Sequence, residues 1–335
     1  MGKRGKTRRD FRTVKTEPRE RLRLILGFSR GSLSDHIAGI VSGALSAALD
    51  KHVDIELRPG QNGVSAARDV AASEPDGKTL FLATFGTHAI APNLGNGAPY
   101  DPLRDFACVS LIAKSPMLLA SDPAIGVTSI HQLIDLAKSC NPALTYATSA
   151  IGGAPHLAAE MFQAMAGIAM RHVRYDETQQ LYRDLEAGRV KLSFNNLISM
   201  LPRCRRGVLR ALAVSSAERS AVAPEIPTIA ESGVPGYEVT NWVGIVAPRA
   251  TPGNCLEELS HAATAAVRSD AVSAALLAAG ITPCGGTPQL FASFMATEVE
   301  RWREIAFRLH ADGERVESSD KLSGGSVNAT SRNPT

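Results

Sequence analysis

This sequence predicts an α/β protein built from two α/β units, and three observations carry that expectation. Its 335 residues and 35.5 kDa exceed what one core usually organises, so two units are the simplest division. The composition is globular, with 44% hydrophobic, 21% charged and only 5% aromatic residues. Plentiful Ala and Gly suit helix–sheet contacts better than an all-β sandwich. Short apolar runs alternate with helical patterns through most of the chain, the order of parallel strands with helices on their faces.

The first unit opens with Leu22–Phe28 (LRLILGF), an apolar run of strand length. A Gly/Ser turn leads into a helix over Ser34–Leu49, with Ile37, Ile40, Val41, Ala44 and Leu45 on one face. Ser32 and Asp35 have the Ser-x-x-Asp spacing of a capping box. Residues 53–57 alternate as a strand, 58–63 (RPGQNG) form a turn, 64–72 a short helix and 79–84 (TLFLAT) a third strand. The second unit repeats the order: strand 144–148, a helix from Pro155 to Ala166, strand 171–175, helix 177–187, then strands 190–194 and 209–214. A strand at 242–248 and helices at 252–268, 270–279 and 287–308 finish the body.

Charge and cysteine usage narrow the function. Residues 1–23 hold ten Lys/Arg and three Asp/Glu, a surplus of seven; against a whole-chain net of +3, the remaining residues come to −4. A slightly acidic body lacks the basic stripe of a nucleic-acid binder, so no nucleic-acid partner is expected. Cys108, Cys140, Cys204, Cys255 and Cys284 show no CxxC and no zinc spacing, so no zinc site is expected and the thiols read as free. No apolar stretch reaches the length of a membrane span. Residues 1–21 form a basic tail; Thr7-Arg8-Arg9-Asp10-Phe11 has the pattern of a twin-arginine signal, but no apolar segment follows, so a degenerate export signal and a plain basic tail both stand. Residues 311–335, rich in Ser, Asn, Gly and charge, read as a disordered tail.

Three strands run into turns of Gly, Ser and Thr that open onto helices: Phe28–Asp35, Thr84–His88 and Ser149–His156. Such turns leave unpaired N–H groups at a positive helix end, and small side chains let an anion approach. Parallel α/β sheets bind ligands beyond the carboxyl ends of their strands. Turns use these residues for their own geometry too, so spacing alone leaves both readings open. GxGxxG, GxxxxGK[ST], GxSxG and HExxH are absent. His88 and His156 are the histidines of these turns, and no nucleophile stands beside a recognisable partner, so no catalytic residue is assigned.

Several segments carry a resemblance. They include RPGQNG (58–63), EPDGKTLFLAT (74–84), YDPLRDFACVSLIA (100–113), PHLAAEMFQAMAGI (155–168), LRALAVSSAERS (209–220) and PEIPTIAESGVPGYEVTNWVGIVAP (224–248). In order along Leu22–His310, they resemble the substrate-binding receptors of tripartite tricarboxylate transporters, the Bug proteins. The resemblance implies a type II periplasmic binding protein fold, two α/β lobes with a ligand cleft between them. Lobe one would be residues 21–118 plus 245–310, and lobe two 119–244. It implies a monomeric, periplasmic, non-enzymatic receptor for a small organic acid such as a di- or tricarboxylate, one that needs no metal or cofactor. Its partners would be membrane transporter subunits or a sensor kinase. A cytoplasmic protein, a divergent member with lost or altered binding, and an enzyme on the same scaffold are the alternatives.

Carried over position by position, the resemblance implies a ligand site made from all three turns. Phe28, Gly31 and Asp35 match the family's first loop, Ser29 stands at its variable position, and its Pro-Gly-Gly has become Arg30-Gly31-Ser32. Thr84, Phe85, Gly86, Thr87 and His88 form the second loop; Ser149, Ala150, Gly152, Ala154 and His156 form the third. After the next strand, His172 and Tyr175 match, but Asp176 replaces a cation. Asn195 and Asn196 stand where the family has Asp-Asn. These departures fall on cleft loops and imply a carboxylate different from the family's commoner ligands.

Overall fold

The computed structural model describes residues 20–93, 97–148, 153–175 and 177–323, with side chains to residue 305. The expectations for Ser149, Ala150, Gly152 and Asp176, and for residues 1–19 and 324–335, lie outside these.

The first half is a parallel β-α-β-α-β unit: β1 (Arg21–Leu26), α1 (Leu33–Leu49), β2 (His52–Leu57), α2 (Val64–Ala71) and β3 (Thr79–Thr84). β1 lies between β2 and β3, parallel to both. Ser32 caps α1 by accepting from Asp35 N. The expected capping box is corrected in its second half: the Asp35 carboxylate accepts from Gly31 N at 2.7 Å, because Ser32 N already donates to Ser29 O. Gly31 has φ +82°, which turns its N–H towards Asp35.

β4 (Phe106–Ser121) then spans the molecule. It pairs antiparallel with β9 (Thr240–Pro248) over 106–116. From Met117 onward it pairs with β7 (Leu192–Asn196) and β8 (Arg210–Val214). Pro116 sits at the change of partners. A proline inside a sequence pattern argues against a central strand because it cannot donate to the ladder. Here it stands where the ladder passes from one neighbour to the next, and sequence reading missed this 16-residue strand.

The second half contains α3 (Ile130–Ser139), β5 (Thr145–Thr148), α4 (Ala154–Ala166), β6 (Arg171–Arg174), α5 (Thr178–Glu186) and α6 (Leu197–Arg205). α7 (Gly253–Arg268), α8 (Asp270–Ala278), β10 (Thr282–Pro283) and α9 (Pro288–Ser323) follow β9. The strand order is β2-β1-β3-β9-β4-β7-β5-β6, with β8 and β10 also on β4. α6 escapes sequence reading because Pro202 lies inside it. The tail expected from residue 311 is corrected as far as Ser323, where the structure continues α9. Ala311, Glu314, Arg315 and Lys321 are good helix formers, and prolonging an existing helix needs no new nucleus.

Three apolar clusters fill the layers. Leu22, Leu24, Val41, Ile245 and Leu259 pack α1 and α7 on one face of the first half. Leu118, Leu181, Leu185 and Met200 lie beneath α5 and α6. The largest runs through the junction, from Phe81 and Phe85 past Met117, Trp242 and Trp302 to Tyr146 and Phe162.

Candidate functional site

The carboxyl ends of β1, β2 and β3 meet at one point. Gln61, Asn62 and Gly63 follow β2 with φ of 48°, 54° and 88°, three consecutive residues in the left-handed region. A side chain at Gly63 would stand 2.8 Å from Thr87 Cγ2 and 3.3 Å from the Phe28 ring, and one at Gly27 would stand 2.4 Å from Gly63 Cα. The loops after all three strands are thus interlocked at atomic contact. Sequence reading took residues 58–63 for a connecting turn and missed Gly63; its glycine was visible, but its neighbours were not.

β3 feeds a single π-type turn over Phe85–Ile90. Thr84 and Thr87 cap it reciprocally: Thr84 Oγ1 accepts from Thr87 N at 3.2 Å, and Thr87 Oγ1 accepts from Thr84 N at 3.0 Å. Tyr100 donates to Thr87 O at 2.7 Å. This leaves the N–H groups of Phe85 and Gly86 outside the turn's own ladder. Gly86 is half-buried, whereas Thr84, Phe85, Thr87 and His88 are buried.

Sequence reading gives Thr87 and His88 ligand-holding side chains. Both are completely enclosed. The His88 ring lies 4.7 Å from Phe106, 5.7 Å from Phe81 and 5.9 Å from Tyr100, with Nδ1 3.0 Å from Thr87 Oγ1. Burial pushes its pKa down to about 3, so it is neutral. The period of a turn says that His88 is there; only the packing of the turn against Phe81, Tyr100 and Phe106 says that it faces the core.

In the first loop, Ser29, Arg30 and Gly31 are exposed and Phe28 and Ser32 are half-buried. Asp35 is engaged by Gly31 N and braces this loop from α1.

The second half contributes a polar cluster around the start of α4. Ala154 is buried as the first residue of that helix, and His156 follows within its first turn. Glu160 Oε1 lies 3.8 Å from His156 Nε2 and accepts from Tyr146 Oη and, at 3.0 Å, from Gln163 Nε2. His172 Nε2 is 2.7 Å from Thr148 Oγ1. The His156 and His172 rings are 4.6 Å apart, and Tyr146 stacks on His172 at 4.9 Å. Burial lowers the pKa of His156; burial, then the neighbouring His156, lowers that of His172 to about 4. Tyr146, Thr148 and Glu160 were missed. Glu160 carries a sequence signal, standing four residues after His156 on one helix face. Tyr146 meets His172 only through the β5–β6 register.

Tyr175 adjoins this cluster through its N–H, which donates to Thr148 O at 3.0 Å. Tyr175 donates to Asp184 on α5 at 3.0 Å. Asn195 is buried and accepts from Asn196 N at 2.9 Å. Asn196 Oδ1 accepts from Asn241 Nδ2 at 3.0 Å, tying β7 to the first residues of β9. Among the described residues, no cluster of three or more His, Cys, Asp or Glu is placed to hold a metal, and no helix is long and apolar enough to cross a membrane.

Two α/β halves joined through long strands, with loops gathered at strand carboxyl ends, define a type II periplasmic binding protein fold. Solved structures agree. The R. palustris protein Rpa4515 with adipate has a TM-score of 0.76 and 35% identity, covering 86% of this chain and 97% of that one. MatC of Rhodopseudomonas palustris with bound malate has a TM-score of 0.73 and 26% identity, covering 87% and 100%. The model of the tripartite tricarboxylate transporter family receptor matches residues 37–310, and the chain belongs to that family. Protein BugT of Bordetella pertussis is 32% identical over 291 residues, 87% of this chain and 89% of that protein. The family consists of periplasmic solute-binding receptors.

Proposed function

We propose that this protein captures a small dicarboxylate between lobe one, residues 21–118 plus 245–310, and lobe two, residues 119–244. It would deliver that ligand to a tripartite transporter or a sensor, working as a monomer in the periplasm and without catalysis. The observation that carries this reading is the interlocking of three loops at the carboxyl ends of β1, β2 and β3, beside a half-buried Gly86 and an exposed Arg30. The adipate held by one relative and the malate held by another supply the ligand class. Arg30, Ser29, Gly31 and the N–H groups after β3 would take one carboxylate from lobe one. His156 at the start of α4 would approach from lobe two. Ligand binding to both lobes favours the closed arrangement because only there are both sets of contacts made.

Titration calorimetry with adipate, malate, succinate and citrate tests the reading. We expect at least one to bind, and Arg30→Ala to weaken it by about 1.5–3 kcal/mol, the usual worth of a hydrogen bond to a charged group. Absence of heat with the whole panel would defeat the carboxylate reading. Mass spectrometry of the bound acid after incubation should return it unchanged; a product would make the protein an enzyme.

A further inference from the structure

We propose that carboxylate capture draws a proton from solution onto the His156–His172 pair, with Glu160 as the waiting counter-charge, so that the ligand binds together with a proton. The inference rests on the carboxylate-receptor reading above and adds to it a second bound species.

Its basis is the geometry of the cluster. Two imidazoles lie 4.6 Å apart, close enough that both cannot charge together without strong repulsion. Among the described residues, the carboxylate beside them is Glu160, fixed by Tyr146 and Gln163. Its Oε1 is 3.8 Å from His156 Nε2, long for a hydrogen bond yet within ion-pair distance once the imidazole is charged. Thr148 Oγ1 at His172 Nε2 suits either state, since a hydroxyl donates to a neutral imidazole and accepts from a protonated one.

Enclosure first, and for His172 then the neighbouring His156, hold the empty pair neutral. The N-terminal end of α4 is positive, and His156 lies in its first turn. Arg174, which has a partner of its own, lies two residues beyond His172 on the same face of β6. Tyr146 on β5 faces the pair as an uncharged phenol; burial raises its pKa. A carboxylate arriving at the start of α4 cancels the positive field there, and the balance passes to Glu160 and the ligand together. The proton comes from buffer and bonds to an imidazole nitrogen of the pair; no other bond changes.

Calorimetry in buffers of different ionisation enthalpy counts the protons. With adipate and malate between pH 7.5 and 6, above the ordinary carboxylate range, we expect uptake that grows as pH falls, reaching at least ~0.3 proton per site at pH 6, with affinity rising in step. His156→Gln/His172→Gln should abolish the uptake. Glu160→Gln keeps both imidazoles and an acceptor for Tyr146, and should reduce the uptake without altering the far-ultraviolet spectrum. Binding with less than ~0.1 proton at every pH would overturn this inference and leave the receptor reading intact. Uptake that persists in both variants would overturn the placement on this pair. No binding of either acid at any pH would overturn the inference together with the reading beneath it.

Discussion

At the scale of single residues, His88 shows how packing decides what a side chain does. Enclosed by Phe81, Tyr100 and Phe106, its imidazole has no water to stabilise a charge. An unfolded histidine takes a proton near pH 6.5, whereas this one resists until about 3. Between those values the unfolded chain binds a proton that the native protein refuses. The stability that His88 contributes is therefore complete above pH 6.5 and is lost as pH falls towards 3, at up to ~1.4 kcal/mol per pH unit. Urea unfolding of the wild type and His88→Phe between pH 7 and 4 should show a shallower loss in the variant. Equal slopes would mean that the ring is hydrated. The sequence named this residue correctly as part of a strand-to-helix turn, but a turn's spacing does not say which side chains point inward.

The elements that shape the site are the turns after β1, β2 and β3, and Gly63 is their common contact. Any side chain there meets the Thr87 methyl group at 2.8 Å on a backbone already in the left-handed region. Thr87 cannot yield cheaply because its hydroxyl is held in the cap with Thr84. Gly63→Ala should cost roughly 1–3 kcal/mol of stability through strain and overpacking, read as a lower urea midpoint at unchanged slope. It should also weaken binding of whichever dicarboxylate the wild type takes. Full affinity in a destabilised variant would show that the interlock supports the fold without shaping the cleft. Sequence reading found most strands and helices because their apolar periods and Gly, Ser and Thr boundaries are local. It missed β4 and α6, each of which carries a proline inside it, and also α3, although Ser129 caps that helix and Ile130, Leu133 and Ala137 mark its buried face.

On the scale of the whole molecule, the junction between halves is a solid core rather than a bare linker. Trp242 on β9 donates to Glu298 on α9 at 3.0 Å, and burial raises the pKa of that carboxyl. Arg301, one turn further along α9, donates to Glu238 O just before β9 and lies 3.9 Å from Met161 Sδ on α4. α9 thus braces the second half from the first, and motion between the halves must pass through these contacts. A ligand that bridges the two halves should stabilise the native state by about 2.7 kcal/mol at a hundred times its dissociation constant. Thermal melting with adipate or malate should rise accordingly, and the radius of gyration from solution scattering should fall. A higher melting temperature with an unchanged radius would indicate binding without closure.

The sequence by itself determined most of the order of strands and helices, the division of charge along the chain and which loops stand at strand ends. Each is written in neighbouring residues, in periods, caps and turn chemistry. The receptor family came from the resemblance of whole segments to known receptors. Only the tertiary structure decided that Thr87 and His88 turn inward, that Gly63 is where three loops meet, and that Tyr146, Glu160 and two histidines form one cluster. Those outcomes depend on pairing and packing between segments far apart along the chain, and no local pattern encodes which face of a turn a distant strand will cover.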